Sequence, residues 1–216
     1  MTSSDEQHLQ RIVDAQHHDP FNFLGVHQIN GNYVLRVFPP RASNIQLKVG
    51  KKWLPLKQVA NKPLFELDSK TAIQTPCLLK VEVDQHSFEI YDPYTFSNSI
   101  SQDDLYLFGE GTLKKAYKML GAQSMTVQGV AGVRFAVWSP NAERVSVVGS
   151  FNDWDGRIHS MRSLGGSGVW ELFIPHLTTN DLYKFEIRNR HTGHILVKTD
   201  PYGFEYEQRP GTASKI

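Results

Sequence analysis

Val37-Phe38-Pro39-Pro40-Arg41-Ala42 and Val137-Trp138-Ser139-Pro140-Asn141-Ala142 decide the fold, because they are one pattern written twice. Each closes an apolar run with a proline turn and leads into a second, alternating run: Ile45 and Leu47 in the first copy, Val145 and Val147 in the second. Alternation turns one face of a strand toward a core, and proline stops the strand. The match continues outward in the same order. Leu24-Gly25-Val26-His27 parallels Leu120-Gly121-Ala122-Gln123, and Phe65-Glu66-Leu67 parallels Trp170-Glu171-Leu172. Lys80-Val81-Glu82-Val83 parallels Lys184-Phe185-Glu186-Ile187, and Asp92-Pro93-Tyr94 parallels Asp200-Pro201-Tyr202. The spacing grows overall from 96 residues at Leu24 to 108 at Asp92, as loop insertions in the second copy would make it. Chance can supply one such match but hardly five in a fixed order.

Short strands with Gly, Pro, Asn and Asp turns between them predict an all-β chain of two tandem immunoglobulin-like sandwiches. The expected domains are 1–110, with a leading helix, and 111–216. Ser3 and Glu6 have capping-box spacing ahead of Leu9, Ile12 and Val13, which predicts the leading helix. A second, linking helix is predicted from Thr112 as N-cap, through Leu113, Ala116, Tyr117 and Leu120, to Gly121.

Composition narrows the function. Lys and Arg total 23 against 22 Asp and Glu, with no basic stripe, so no nucleic-acid partner is expected. No apolar run approaches the roughly 20 residues of a membrane span. The first ten residues are polar, so no signal peptide is read, and Cys77 is the sole cysteine; a cytoplasmic protein is expected. His17-His18, and His191 with His194, lack companions at a ligand spacing, so neither metal nor cofactor is predicted. Asp153 and Asp155 lie two apart on one loop, whereas a glycosidase pair flanks its substrate, so no catalytic residue is assigned. Trp138 and Trp170 lie in alternating strands and read as core.

The stretch with binding chemistry is Gly149-Ser150-Phe151-Asn152-Asp153-Trp154-Asp155-Gly156. It leaves a strand, carries short polar turn formers, and places a tryptophan where no regular strand would bury it. An indole between Asn152 and Asp153 suits a sugar, whose C–H face lies on the ring while its hydroxyls reach polar neighbours. Trp154 as a plug at the sandwich edge is the competing reading.

Gly132 to Ala142, Val148 to Trp154, Gly168 to Leu172 and Tyr183 to Ile187 resemble, in order, a family 48 carbohydrate-binding module. His18-Asp19-Pro20-Phe21 with Leu24 to His27, Asp104 to Thr112, and Arg209 to Ser214 resemble stretches of bacterial glycogen branching enzymes. The resemblance implies partners: α-glucan, as glycogen or malto-oligosaccharides, and the catalytic barrel of a parent enzyme. It also implies that Trp154 matches the first tryptophan of a sugar platform and Lys184 its lysine. The second tryptophan would fall near Val197, where no aromatic stands. Trp53 occupies the corresponding place in the first copy, behind Lys51-Lys52. The family's chemistry uses two carboxyl groups in a barrel of about 250 residues, for which this chain has no room, so inactivity by itself is expected. Two alternatives stay open: a docking module that touches no sugar, and an accessory region of a debranching enzyme.

Overall fold

In a computed structural model that describes residues 3–60 and 62–216, the apolar-alternating runs form strands and the Gly, Pro, Asn and Asp stretches join them. The chain divides into two compact units: residues through Leu9 with Phe21–Phe96, and Gln10–Pro20 with Ser97–Ile216. The leading helix α1 (Ser3–Val13) carries Asp5 and Glu6 in its first turn and Arg11 in its last, matching the helix dipole.

The first unit holds β1 (Gly25–Ile29), β2 (Asn32–Val37), β3 (Asn44–Val49), β4 (Lys52–Pro55), β5 (Lys57–Gln58), β6 (Phe65–Ser69), β7 (Leu78–Val83) and β8 (His86–Tyr91). They form two antiparallel sheets, in the orders β1-β2-β6-β5 and β4-β3-β7-β8. Alternation decides what is buried: Leu35, Val37 and Phe65 from one sheet meet Ile45, Leu47, Leu79 and Val81 from the other. Asp84 and Gln85 both have positive φ, 47° and 68°, which suits the tight β7–β8 hairpin.

The second unit repeats the plan with β9 (Gly121–Val127), β10 (Val130–Trp138), β11 (Ala142–Gly149), β12 (Arg162–Ser163), β13 (Val169–Pro175), β14 (Leu182–Asn189), β15 (Ile195–Lys198), β16 (Glu205–Tyr206) and β17 (Ser214–Lys215). One sheet runs β12-β13-β10-β9; the other runs β11-β14-β17-β16, with β15 also paired to β14. The inner faces meet through aromatic rings, Phe135 standing edge-on to Tyr183 at 4.9 Å between centroids.

The repeat has a packing reason. Gly25 and Gly121 both have φ near +85° to +88°, a region that glycine enters without strain. A Cβ on Gly25 would strike the carbonyl oxygen of Tyr94, and one on Gly121 would lie 2.9 Å from that of Tyr202. In each copy the Asp-Pro-Tyr turn therefore presses against the glycine that opens the first strand. Asp92 and Asp200 shape that turn, accepting the backbone N–H of Tyr94 and Tyr202.

Two expectations need correction. The helix of the linking stretch, α2 (Gln102–Gly109), ends before Thr112, and only a short 3-10 turn at Ala116–Lys118 follows. Ser101 caps α2 by accepting the Asp104 N–H, and Asp103 and Asp104 sit in its first turn, signals stronger than those at Thr112. Trp170 is core at 2% exposure, but Trp138 is 54% exposed. It ends β10 on the outward face; there Ala136 is covered, with Ile100, Leu105, Met119 and Leu120, whereas Trp138 meets Phe108 edge-on at 6.3 Å between centroids and stays half exposed.

Candidate functional site

The site is the loop between β11 and the short β12. After Gly149, Ser150–Asn152 make a single 3-10 turn, and Asp153 and Trp154 follow with φ of 52° and 59°. The Asp155 N–H donates to the Asn152 carbonyl oxygen at 3.0 Å, so Asp153 and Trp154 are the central pair of a tight turn with positive φ at both positions. Aspartate tolerates that conformation; for a bulky residue it costs on the order of 1–2 kcal/mol, so the surroundings must hold it. The Trp154 N–H donates to the Gly149 carbonyl oxygen at 3.0 Å, tying the indole to the end of β11. Trp154 is 42% exposed.

The four residues singled out from sequence gather at this strand end but do different things. Asp153 and Trp154 are exposed at the loop tip. Asn152 is buried: its Oδ1 accepts the Gly149 N–H, while its Nδ2 donates to the Val147 carbonyl and lies 2.8 Å from His159 Nδ1. Its amide therefore shapes the loop from inside. Burial lowers the His159 pKa to about 4, which keeps its ring neutral and Nδ1 an acceptor for that amide. Lys184 is half-buried on β14, paired with Val148 one step from Gly149, and its Nζ donates to Thr212 Oγ1 at 2.6 Å. Val197, where a second aromatic would stand, lies on edge strand β15 opposite Glu186 and is 50% exposed.

Beneath the loop lies a layer that sequence reasoning missed. Arg144, with no exposed surface, donates through Nη1 to Ser146 Oγ at 2.5 Å and the Gly156 carbonyl at 3.1 Å, and through Nη2 to Glu186 Oε1 at 2.6 Å. Ser146 Oγ also donates to the Gly156 carbonyl, at 2.6 Å. A Cβ on Gly156 would strike the Glu186 carboxylate, so a larger residue there would push that carboxylate from its place beside Arg144. The available signal was polar residues at every second position, Arg144 and Ser146 on β11 and Lys184, Glu186 and Arg188 on β14, where a free sheet face would be solvated. At the tip, Arg157 grips Asp155 with two nitrogens, at 2.9 and 2.6 Å.

No three His, Cys, Asp or Glu side chains converge as a metal site among the described residues. No described helix is long and apolar enough to cross a membrane.

Comparison with known proteins covers both units. A family model described as alpha-1,4-glucan branching enzyme GlgB, N-terminal domain, matches residues 5–94. One described as Carbohydrate-binding module 48 (Isoamylase N-terminal domain) matches residues 119–203. The 1,4-alpha-glucan branching enzyme GlgB of Methylobacillus flagellatus is 56% identical over 214 residues, covering 99% of this chain and 30% of that protein. Its namesake in Nitrosospira multiformis is 50% identical over 212 residues, covering 96% and 28%. Among solved structures, ligand-free PulA of Klebsiella pneumoniae is 15% identical with a TM-score of 0.39, covering 89% of this chain and 21% of its own. The chain spans about 30% of the length of the curated relatives it matches.

Proposed function

Because residues 5–94 belong to the family of the GlgB branching-enzyme N-terminal domain and residues 119–203 to carbohydrate-binding module 48, we propose that this chain is the non-catalytic, glucan-handling region of a 1,4-α-glucan branching enzyme. In this reading α-1,4 chains of glycogen or malto-oligosaccharides lie on Trp154. Asp153 and Lys184 offer polar groups beside the ring, and Asn152 holds the turn. The chain positions the glucan for α-1,6 branch formation by a catalytic barrel of the same parent protein, in the cytoplasm, where a lone buried thiol stays reduced.

The observation that carries this reading is the 42% exposed indole of Trp154, held at a loop tip in a backbone conformation that tryptophan rarely adopts. Covering on the order of 100 Å² of apolar surface gives about 2–3 kcal/mol. After the cost of association that is a weak site, around millimolar. On a polymer the repeated sugars raise the effective concentration and make such a site useful. Electrophoresis of the chain through gels containing glycogen tests it. Retardation that Trp154→Ala reduces at least threefold is expected; equal mobility with and without glycogen would refute it.

A docking module without sugar affinity is the second reading. It is favoured by the edge strand β15, where Ile195, Leu196 and Val197 are each about half exposed. Mixing the chain with a separately expressed barrel discriminates: restored branching by a chain that glycogen does not retard supports docking alone.

A further inference from the structure

Resting on the glucan reading, we propose that Arg144 and Glu186 are positioning residues: a buried ion pair latches the carbonyl of Gly156 and so fixes the pose of Trp154, two residues earlier, without touching sugar. The loop that carries Trp154 has two limbs. The first is tied to β11 by Asn152 and by the Trp154 N–H on Gly149. The second limb is fastened at Gly156, whose carbonyl oxygen receives Arg144 Nη1, Ser146 Oγ and Ser160 Oγ together. Three donors on one carbonyl, one of them charged and fully buried, form a strong and directional clamp.

The first copy of the repeat supplies an independent control. There Asn44 stands where Arg144 stands, and Glu82, directly across from it on β7, holds the place that Arg188 holds across from Arg144 on β14. Asn44 Nδ2 donates to Glu82 Oε2 at 3.2 Å, a link between facing residues with no charge on the donor, and Asn44 is half-buried where Arg144 is fully buried. That copy has no loop to hold, since β3 turns straight into β4 through Gly50 and Lys51. The buried arginine accompanies the loop. Placing a guanidinium at zero exposure is costly, and an apolar pair of similar size would often be at least as stable, so stability alone does not explain it.

That last point makes the test. In the full 216-residue chain, Arg144→Met with Glu186→Leu should hold the melting temperature near that of the parent. It should raise amide exchange across residues 153–158 tenfold or more and shift or broaden the 5-fluorotryptophan resonance assigned to Trp154. Glycogen retardation should fall to the level of Trp154→Ala. Gly156→Ala, which drives a methyl into Glu186 while keeping both charges, should do the same if the double variant folds poorly. Exchange and fluorine signals at parental values in a folded variant would overturn the latch. If glycogen does not retard the parent chain, the sugar reading fails alone, and the fluorine and exchange results still decide for or against the latch.

Discussion

Trp53 and Trp154 follow matching strands, β3 and β11, in two copies of one sandwich, yet only Trp154 stands clear. Trp53 lies within β4, paired across the hairpin with Lys48, whose Nζ sits 5.3 Å from the ring centroid. The ring is half-buried and one side is engaged by a cation. Trp154 lies in an insertion, in a left-handed turn, over a desolvated ion pair. A tryptophan at a sheet edge thus becomes a platform when a loop lifts it off the strand and a buried network keeps the loop rigid. The repeat carries the residue; the insertion makes the site.

A second pair teaches the same about polar groups. Asp200 Oδ2 accepts the Tyr183 hydroxyl at 2.6 Å, whereas Asp92 Oδ2 is buried with no partner among the described residues; by strand register Cys77 stands where that tyrosine does. Burial pushes Asp92 up to about 7, against the smaller pull of the Tyr94 N–H. The titratable group beside it is Cys77, whose thiol is itself raised to about 12 by burial and by the Asp92 charge, with the Thr95 hydroxyl opposing.

The largest expected effect breaks what the copies share. Gly121→Ala should destabilise the second unit by about 3 kcal/mol or more, since the new methyl meets Tyr202 at a φ that alanine resists. Gly25→Ala should do the same to the first, and urea denaturation followed by tryptophan fluorescence measures both. A loss below about 1 kcal/mol in either would show that the Asp-Pro-Tyr turn does not depend on the glycine.

Next comes the difference at the buried carboxyl. A carboxyl whose folded pKa is raised favours the folded state fully below its unfolded value of 3.8, and that contribution is lost as pH rises to about 7. Asp92→Asn should therefore flatten a fall on the order of 4 kcal/mol in the stability of the first unit between those limits. Denaturation at stepped pH checks it, and an unchanged slope would place the titration elsewhere.

The smallest effect sharpens the platform. Val197→Trp puts a second indole on half-exposed β15, and glycogen retardation should increase by about 1 kcal/mol, roughly fivefold. No gain would mean that Val197 does not lie along the path of the glucan.

Strand positions, the doubled sandwich and the place of Trp154 were legible in the sequence, because alternation and turn residues act over a few neighbours. Thr112 misled because its helical spacing had no acidic first turn, while Ser101 with Asp103 and Asp104 lay inside a stretch read as irregular. Trp138 misled because alternation tells which face a residue is on but not what covers that face. Asn152 was legible as a polar group beside an indole, but its amide turns inward to Gly149, Val147 and His159.

The sequence by itself determined that two homologous β-sandwiches form and that a tryptophan stands in a polar loop of the second. Only the tertiary structure decided that Arg144 and Glu186 lie under that loop, and that Asp92 lacks the partner Asp200 has. The reason is physical. Strand propensity is set by neighbours two residues apart, whereas burial of a charge and satisfaction of a hydrogen bond depend on groups 42 residues away, as Glu186 is from Arg144.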